Sequence, residues 1–159
     1  MSIHTVLLAV GQEDEDRLEA LAETAASVVD PDGRVVVLHV FDRERYDTIA
    51  TQLNVDPDSE VTPDDISQRS RIVTDVADRL ERAGADYEVR GALGDTADTI
   101  LREAESADAD LLVVGGRTRS ATGKALFGST AQRVLLEADR PVTFVKERSE
   151  DRADAAVPA

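Results

Sequence analysis

Unbroken apolar runs alternate along the chain with stretches whose apolar positions recur every three or four residues, which predicts strands and helices in turn. Thr5-Val-Leu-Leu-Ala-Val10 is continuous and closes on Gly11, as a strand covered on both faces does. Leu18, Leu21, Ala22, Ala25, Ala26, Val28 and Val29 mark one face of a helix that stops at Asp30-Pro31-Asp32-Gly33. A second β-branched run, Val35 to Phe41, completes a strand-helix-strand unit, so its two strands are expected to be parallel with a right-handed crossover.

From Asp42 to Val61 the sequence is polar and aperiodic and is expected to be an exposed loop, with a lid or mobile insertion as the other reading. Thr62-Pro63-Asp64-Asp65 opens a second helix whose face is Ile66, Val73, Val76, Ala77 and Leu80, ended by Gly84. Tyr87, Val89, Gly91 and Leu93 alternate as a third strand, and Gly94-Asp95-Thr96 starts a third helix carrying Ile100, Leu101 and Ala104. Asp110-Leu-Leu-Val-Val-Gly115 is a fourth strand. After a loop of Gly, Thr and Ser come a last helix, about Ser129 to Ala138, and a last strand, Pro141 to Lys146. Residues 1–147 thus form one domain, and 148–159 alternate acids, Arg and Ala as a frayed acidic tail.

Strands alternating with helices imply an α/β fold: a single open five-stranded parallel sheet, Rossmann-like, with helices on both faces. Ligands of such sheets sit outside the carboxyl ends of the strands, where strand order reverses. The places to search are therefore Ala9 to Gln12, Val40 to Arg43 and Gly115 to Thr130.

Charge singles out the last of these. The chain carries 33 Asp and Glu against 18 Lys and Arg, a formal charge of -15. That field repels nucleic acid and anionic membranes. With only Lys124 and Lys146 as lysines and acids along every polar stretch, the composition suggests a salt-adapted, halophilic origin. Yet no acid occurs from Leu111 through Leu136, where an even spread would place about five. Arg117, Arg119, Lys124 and Arg133 all fall there. At its end Gly128-Ser129-Thr130-Ala131-Gln132 fits a capping box with Ser129 as N-cap, so unpaired amides and the positive end of a helix lie beside cations. Phosphate suits that environment. A turn at Gly128, a simple cap at Ser129 and cations paired elsewhere form the structural alternative.

Other chemistry finds little support. Cys is absent, which removes disulfides, thiolate metal sites and a Cys nucleophile. Gly123-Lys124 is followed by Ala125, so a Walker A loop is not formed, and no Gly-x-Ser-x-Gly elbow surrounds Ser129. His4 and His39 lie beside or within strands and are expected to be structural, no spaced ligand cluster suggests a metal, and Asp14, Asp16 and the helix acids are expected to form a solvated face. No apolar run reaches the length of a membrane span, and Met1-Ser2-Ile3-His4 does not read as a signal peptide, so a cytoplasmic protein is expected.

Six blocks, in order, carry a family resemblance: Thr5 to Val10, Gly33 to Val40, Gly94-Asp95 before a helix, Asp110 to Gly116, Leu126-Phe-Gly-Ser-Thr-Ala131 and Arg140 to Val145. Across about residues 3–147 the chain resembles the universal stress protein family. The resemblance implies strand order 3-2-1-4-5 and a homodimer in which the last strand pairs with its copy. Val142 and Phe144 would lie at that edge. ATP-binding members carry Gly-x-x-Gly, nine residues, then Gly-Ser/Thr after the fourth strand, and often an Asp at the end of the first. Here Gly115 matches the first glycine and Gly128-Ser129 the end, whereas Thr118 replaces the second glycine and Gly11 the Asp.

The function so implied is a stress-response regulator that binds ATP, AMP or a similar phosphorylated ligand, with Mg²⁺ if a triphosphate, and does not turn it over. Ala9, Val10, Gly11, Val40 and Val114 would line the base, Gly115, Thr118, Gly128, Ser129 and Thr130 would meet ribose and phosphates, and Arg117, Arg119 and Lys124 would supply positive charge. No residue is assigned a catalytic role. The alternatives are a dimeric adaptor for an unknown protein partner that binds no nucleotide, and a slow ATPase using Asp42 with Mg²⁺.

Overall fold

The computed structural model describes residues 2–52, 62–68, 70–116 and 128–146. Its five strands are β1 (Thr5–Val10), β2 (Arg34–Phe41), β3 (Tyr87–Leu93), β4 (Leu111–Gly116) and β5 (Val142–Lys146). They form one sheet in the order β3-β2-β1-β4-β5 with every pair parallel, so the order reverses between β1 and β4. The helices are α1 (Leu18–Val28), α2 (Arg43–Gln52), α3 (Pro63–Gln68), α4 (Arg71–Arg82), α5 (Thr96–Ser106) and α6 (Ser129–Glu137).

Period-two alternation divides each central strand between two apolar layers. Val6, Leu8, Val10, Val35, Val37 and Val113 pack with Leu21, Ala25, Val73, Val76 and Leu80 of α1 and α4. Leu7, Ala9, Val36, Leu38, Leu112 and Val114 pack with Ala97, Ile100 and Ala104 of α5 and Val134 of α6. Both faces of β1, β2 and β4 are buried, which is why their sequences read as unbroken apolar runs.

Three expectations are corrected. The segment expected to be a loop from Asp42 to Val61 holds α2 over Arg43–Gln52, while residues 53–61 lie outside the described residues. This helix is polar on nearly every face, so it has no apolar stripe to read; Tyr46 fastens it edge-on to Phe41 with ring centres 5.7 Å apart. The single helix expected after Thr62 is two, α3 and α4, because Ser70 is extended (φ −68°, ψ 131°) and starts α4 as its N-cap. The opening itself is as expected, with Pro63 first: Thr62 N–H donates to Asp65 Oδ2 at 3.0 Å and Asp65 N–H to Thr62 Oγ at 3.3 Å, a reciprocal cap. At α6 the N-cap is Gly128 and Ser129 is the first helical residue, so the capping box expected on Ser129 with Gln132 does not form. Glycine serves at that position because its backbone, not a side chain, enters the turn.

Candidate functional site

β1, β2 and β4 end side by side, with Ala9 opposite Leu38 and Leu8 opposite Val113. Of the expected lining residues, Ala9, Val40 and Val114 share the layer under α5 and α6. Val10 turns into the opposite layer, and its carbonyl accepts the Nδ1–H of buried His39 at 2.8 Å. A carbonyl only accepts, so the proton is assigned to Nδ1. His39 is thus structural, as expected, and its ring meets Phe41 edge-on at 4.4 Å. His4 is exposed and lies 3.8 Å from Asp30.

Beyond Val10 the chain makes a 3₁₀ turn, Gln12–Arg17, and here the expectation of a solvated acidic face fails for Asp14. The turn folds Asp14 back on its own start, so that Oδ2 accepts the Gly11 N–H at 2.8 Å. Arg17 Nε donates to Asp14 Oδ1 at 2.6 Å, and Arg17 Nη2 donates to the Glu13 carbonyl at 2.8 Å. The two side chains are 2% (Arg17) and 7% (Asp14) exposed. Burial pushes the Asp14 carboxyl above its ordinary range, against the downward pull of Arg17 and the Gly11 N–H. An Asp and an Arg three residues apart, between a strand end and the first periodic helix residue, were the available sequence signal.

This ion pair explains one glycine of the family pattern. A Cβ on Gly115 would stand 2.8 Å from Arg17 Nε and 3.0 Å from Asp14 Oδ1, so Gly115 lets β4 close on the pair. Gly116 is similarly placed against the Phe144 ring, at 3.0 Å. Gly128 differs: no described atom lies within 4 Å of where its Cβ would be. Among the described residues no side chain caps α6 there, and the first-turn amides that follow Gly128 have no partner within the helix. Ser129 is exposed and Thr130 half-buried. Arg117, Thr118, Arg119 and Lys124 lie outside the described residues.

Arg133, the remaining cation of the acid-free stretch, faces the start of α5. It donates to Asp95 Oδ1 at 3.1 Å, to Glu137 Oε2 at 3.0 Å and to Asp98. Asp95 caps α5 by accepting the Asp98 N–H at 3.0 Å, and that bond, with Arg133, lowers its pKa. Since three carboxylates already neutralise it, Arg133→Gln is expected to leave the affinity for a phosphorylated ligand unchanged in a titration, with a small fall in the thermal midpoint. Asp42 is exposed just before α2, its carbonyl accepting the Tyr46 N–H at 2.9 Å. Among the described residues no group of three or more His, Cys, Asp or Glu could hold a metal, and no helix is long and apolar enough to cross a membrane.

Comparison with known proteins gives a consistent result. The sequence profile of the universal stress protein family matches residues 2–146. A universal stress protein of Mycolicibacterium smegmatis is 40% identical over 119 residues, covering 74% of this chain and 91% of its own. The universal stress protein of Archaeoglobus fulgidus superposes with a TM-score of 0.62 at 26% identity, covering 89% of this chain and 98% of that one. A structure of an Archaeoglobus fulgidus universal stress protein in complex with dAMP superposes at 0.58 with 22% identity, covering 92% and 100%.

Proposed function

The chain belongs to the universal stress protein family, and from that membership we propose that it is a non-catalytic stress-response regulator binding an adenine nucleotide or a similar phosphorylated ligand. The site would be the crevice at the carboxyl ends of β1 and β4, where the order reverses. The observation that carries this reading is the start of α6: unpaired first-turn amides behind a glycine that nothing described crowds. A relative of the same fold holds dAMP.

In this reading Ala9, Val40 and Val114 wall the base, with Val10 and Gly11 contributing backbone. Gly128, Ser129 and Thr130 receive phosphate, and Gly115 and Thr118 border the ribose. Arg117, Arg119 and Lys124 balance the charge, joined by Mg²⁺ when the ligand is a triphosphate. Two nearby titratable groups support binding without turnover: Asp14 is held by Arg17 and Gly11, and His39 by Val10. The protein would act in the cytoplasm at high salt as a homodimer joined along β5, through Val142 and Phe144.

A second reading, a dimeric adaptor that binds no nucleotide, is favoured by one feature: the Asp14–Arg17 pair occupies space between the ends of β1 and β4. Calorimetric titration with AMP and ATP at high salt separates the two. The nucleotide reading expects saturable heat with a dissociation constant no weaker than low millimolar; a folded protein giving no heat would leave the adaptor.

A further inference from the structure

The two terminal strands of the sheet are treated differently. Val35 N–H bonds the Asp86 carbonyl at 2.8 Å and Gly94 N–H bonds the Phe41 carbonyl at 3.0 Å. Even-numbered residues of β3 therefore turn their backbone groups toward β2, and Tyr87, Val89, Gly91 and Leu93 turn theirs outward. α3 crosses the middle of that outward row. Asp64 Oδ1 accepts the Gly91 N–H at 2.7 Å. A Cβ on Gly91 would lie 2.1 Å from the Pro63 carbonyl oxygen and 2.4 Å from Ser67 Oγ, so helix backbone meets strand backbone at a distance that glycine alone permits. Ile66 is buried under this contact, and the Ser67 hydroxyl is buried with no hydrogen-bond partner among the described residues. Close docking is thus kept despite an unbonded polar group. Among the described residues no helix packs on the outer side of β5 as α3 packs on β3.

We propose that α3 is an edge guard, which through Asp64 and Gly91 closes β3 to strand addition and confines association between copies of this chain to the β5 side. A sheet open at both edges joins copies without limit, whereas one with a sealed edge joins once and closes as a pair. The β5 pairing rests on the homodimer of the proposed function; the sealing of β3 does not.

Sedimentation velocity over a wide concentration range, on wild type, Asp64→Ala and Gly91→Ala, tests this. Wild type is expected as one species of twice the chain mass. Each variant, folded by circular dichroism, is expected to add species heavier than the wild type's, with a share that grows with concentration. A monomeric wild type would sink the β5 pairing but not the guard, for the variants would still have to run heavier than it. Folded variants with the wild-type mass at every concentration overturn the guard. Should Gly91→Ala not fold, Asp64→Ala decides, together with hydrogen exchange: the Gly91 amide should be protected in wild type and exchange at least tenfold faster in Asp64→Ala. An unprotected Gly91 amide in wild type overturns the proposal.

Discussion

Arg17→Met is expected to lower the unfolding free energy by about 3–5 kcal/mol near pH 7, as read by urea denaturation. The side chain removed is 2% exposed and is the ionic partner of a carboxylate that is itself 7% exposed. With the guanidinium gone, Asp14 keeps only the Gly11 N–H among the described residues, and its charge must be either carried unpaired or neutralised by a proton. The pH dependence has a definite sign. Burial already holds the folded pKa of Asp14 above its unfolded value, and loss of Arg17 removes the main opposing influence. A carboxyl with a raised folded pKa stabilises fully below its unfolded value, about 3.9, and loses that contribution as pH rises through the folded value. The deficit of Arg17→Met relative to wild type should therefore be largest at neutral pH and shrink as pH falls toward 4. The double variant Asp14→Leu/Arg17→Met, which leaves no buried charge, should recover most of the loss. Equal deficits in the single and double variants would mean that packing, not charge, is what Arg17 contributes.

Gly128→Val is expected to weaken AMP binding at least tenfold, about 1.4 kcal/mol, while costing the fold about 1 kcal/mol or less. At φ −59° and ψ 153° the backbone of residue 128 suits any amino acid, and no described atom is near its Cβ position. The stability cost is therefore only that of a poorer N-cap. At the proposed site the binding cost would be steric, because the branched side chain would stand between a ligand phosphate and the amides of the first turn. Gly115 supplies the contrast. There a Cβ would press on Arg17 Nε at 2.8 Å, so Gly115→Ala should lose stability whether or not ligand is present. Both positions match the family pattern, yet the protein's own packing calls for glycine at Gly115, whereas nothing described does so at Gly128.

What the sequence made legible follows from burial. β1, β2 and β4 are covered on both faces, so their apolar runs admitted little other reading, and α1, α4 and α5 each bury one stripe against the sheet. Elements held by contacts outside those periodicities were hidden. α2 shows no apolar stripe in its sequence and meets Phe41 through the Tyr46 ring, and α3 separates from α4 because it follows the edge of β3 at Gly91. In the site, the glycines and hydroxyls around Gly128 were visible as a motif, as was the absence of acids around them. The Asp14–Arg17 pair was not, since in a chain with 33 acids a single Asp carries no mark of burial. Its concealment came from the 3₁₀ turn, whose backbone returns the carboxylate to Gly11.

The most direct test of a ligand at the carboxyl ends of β1 and β4 is an amide-resolved NMR titration of the wild-type protein with AMP at high salt. Saturable shifts concentrated at Ala9 to Gly11, Gly115 and Ser129 to Ala131 are the predicted result. Saturating AMP that leaves those amides unmoved, or moves only amides at the opposite end of the sheet around Thr5, Arg34 and Tyr87, would contradict it.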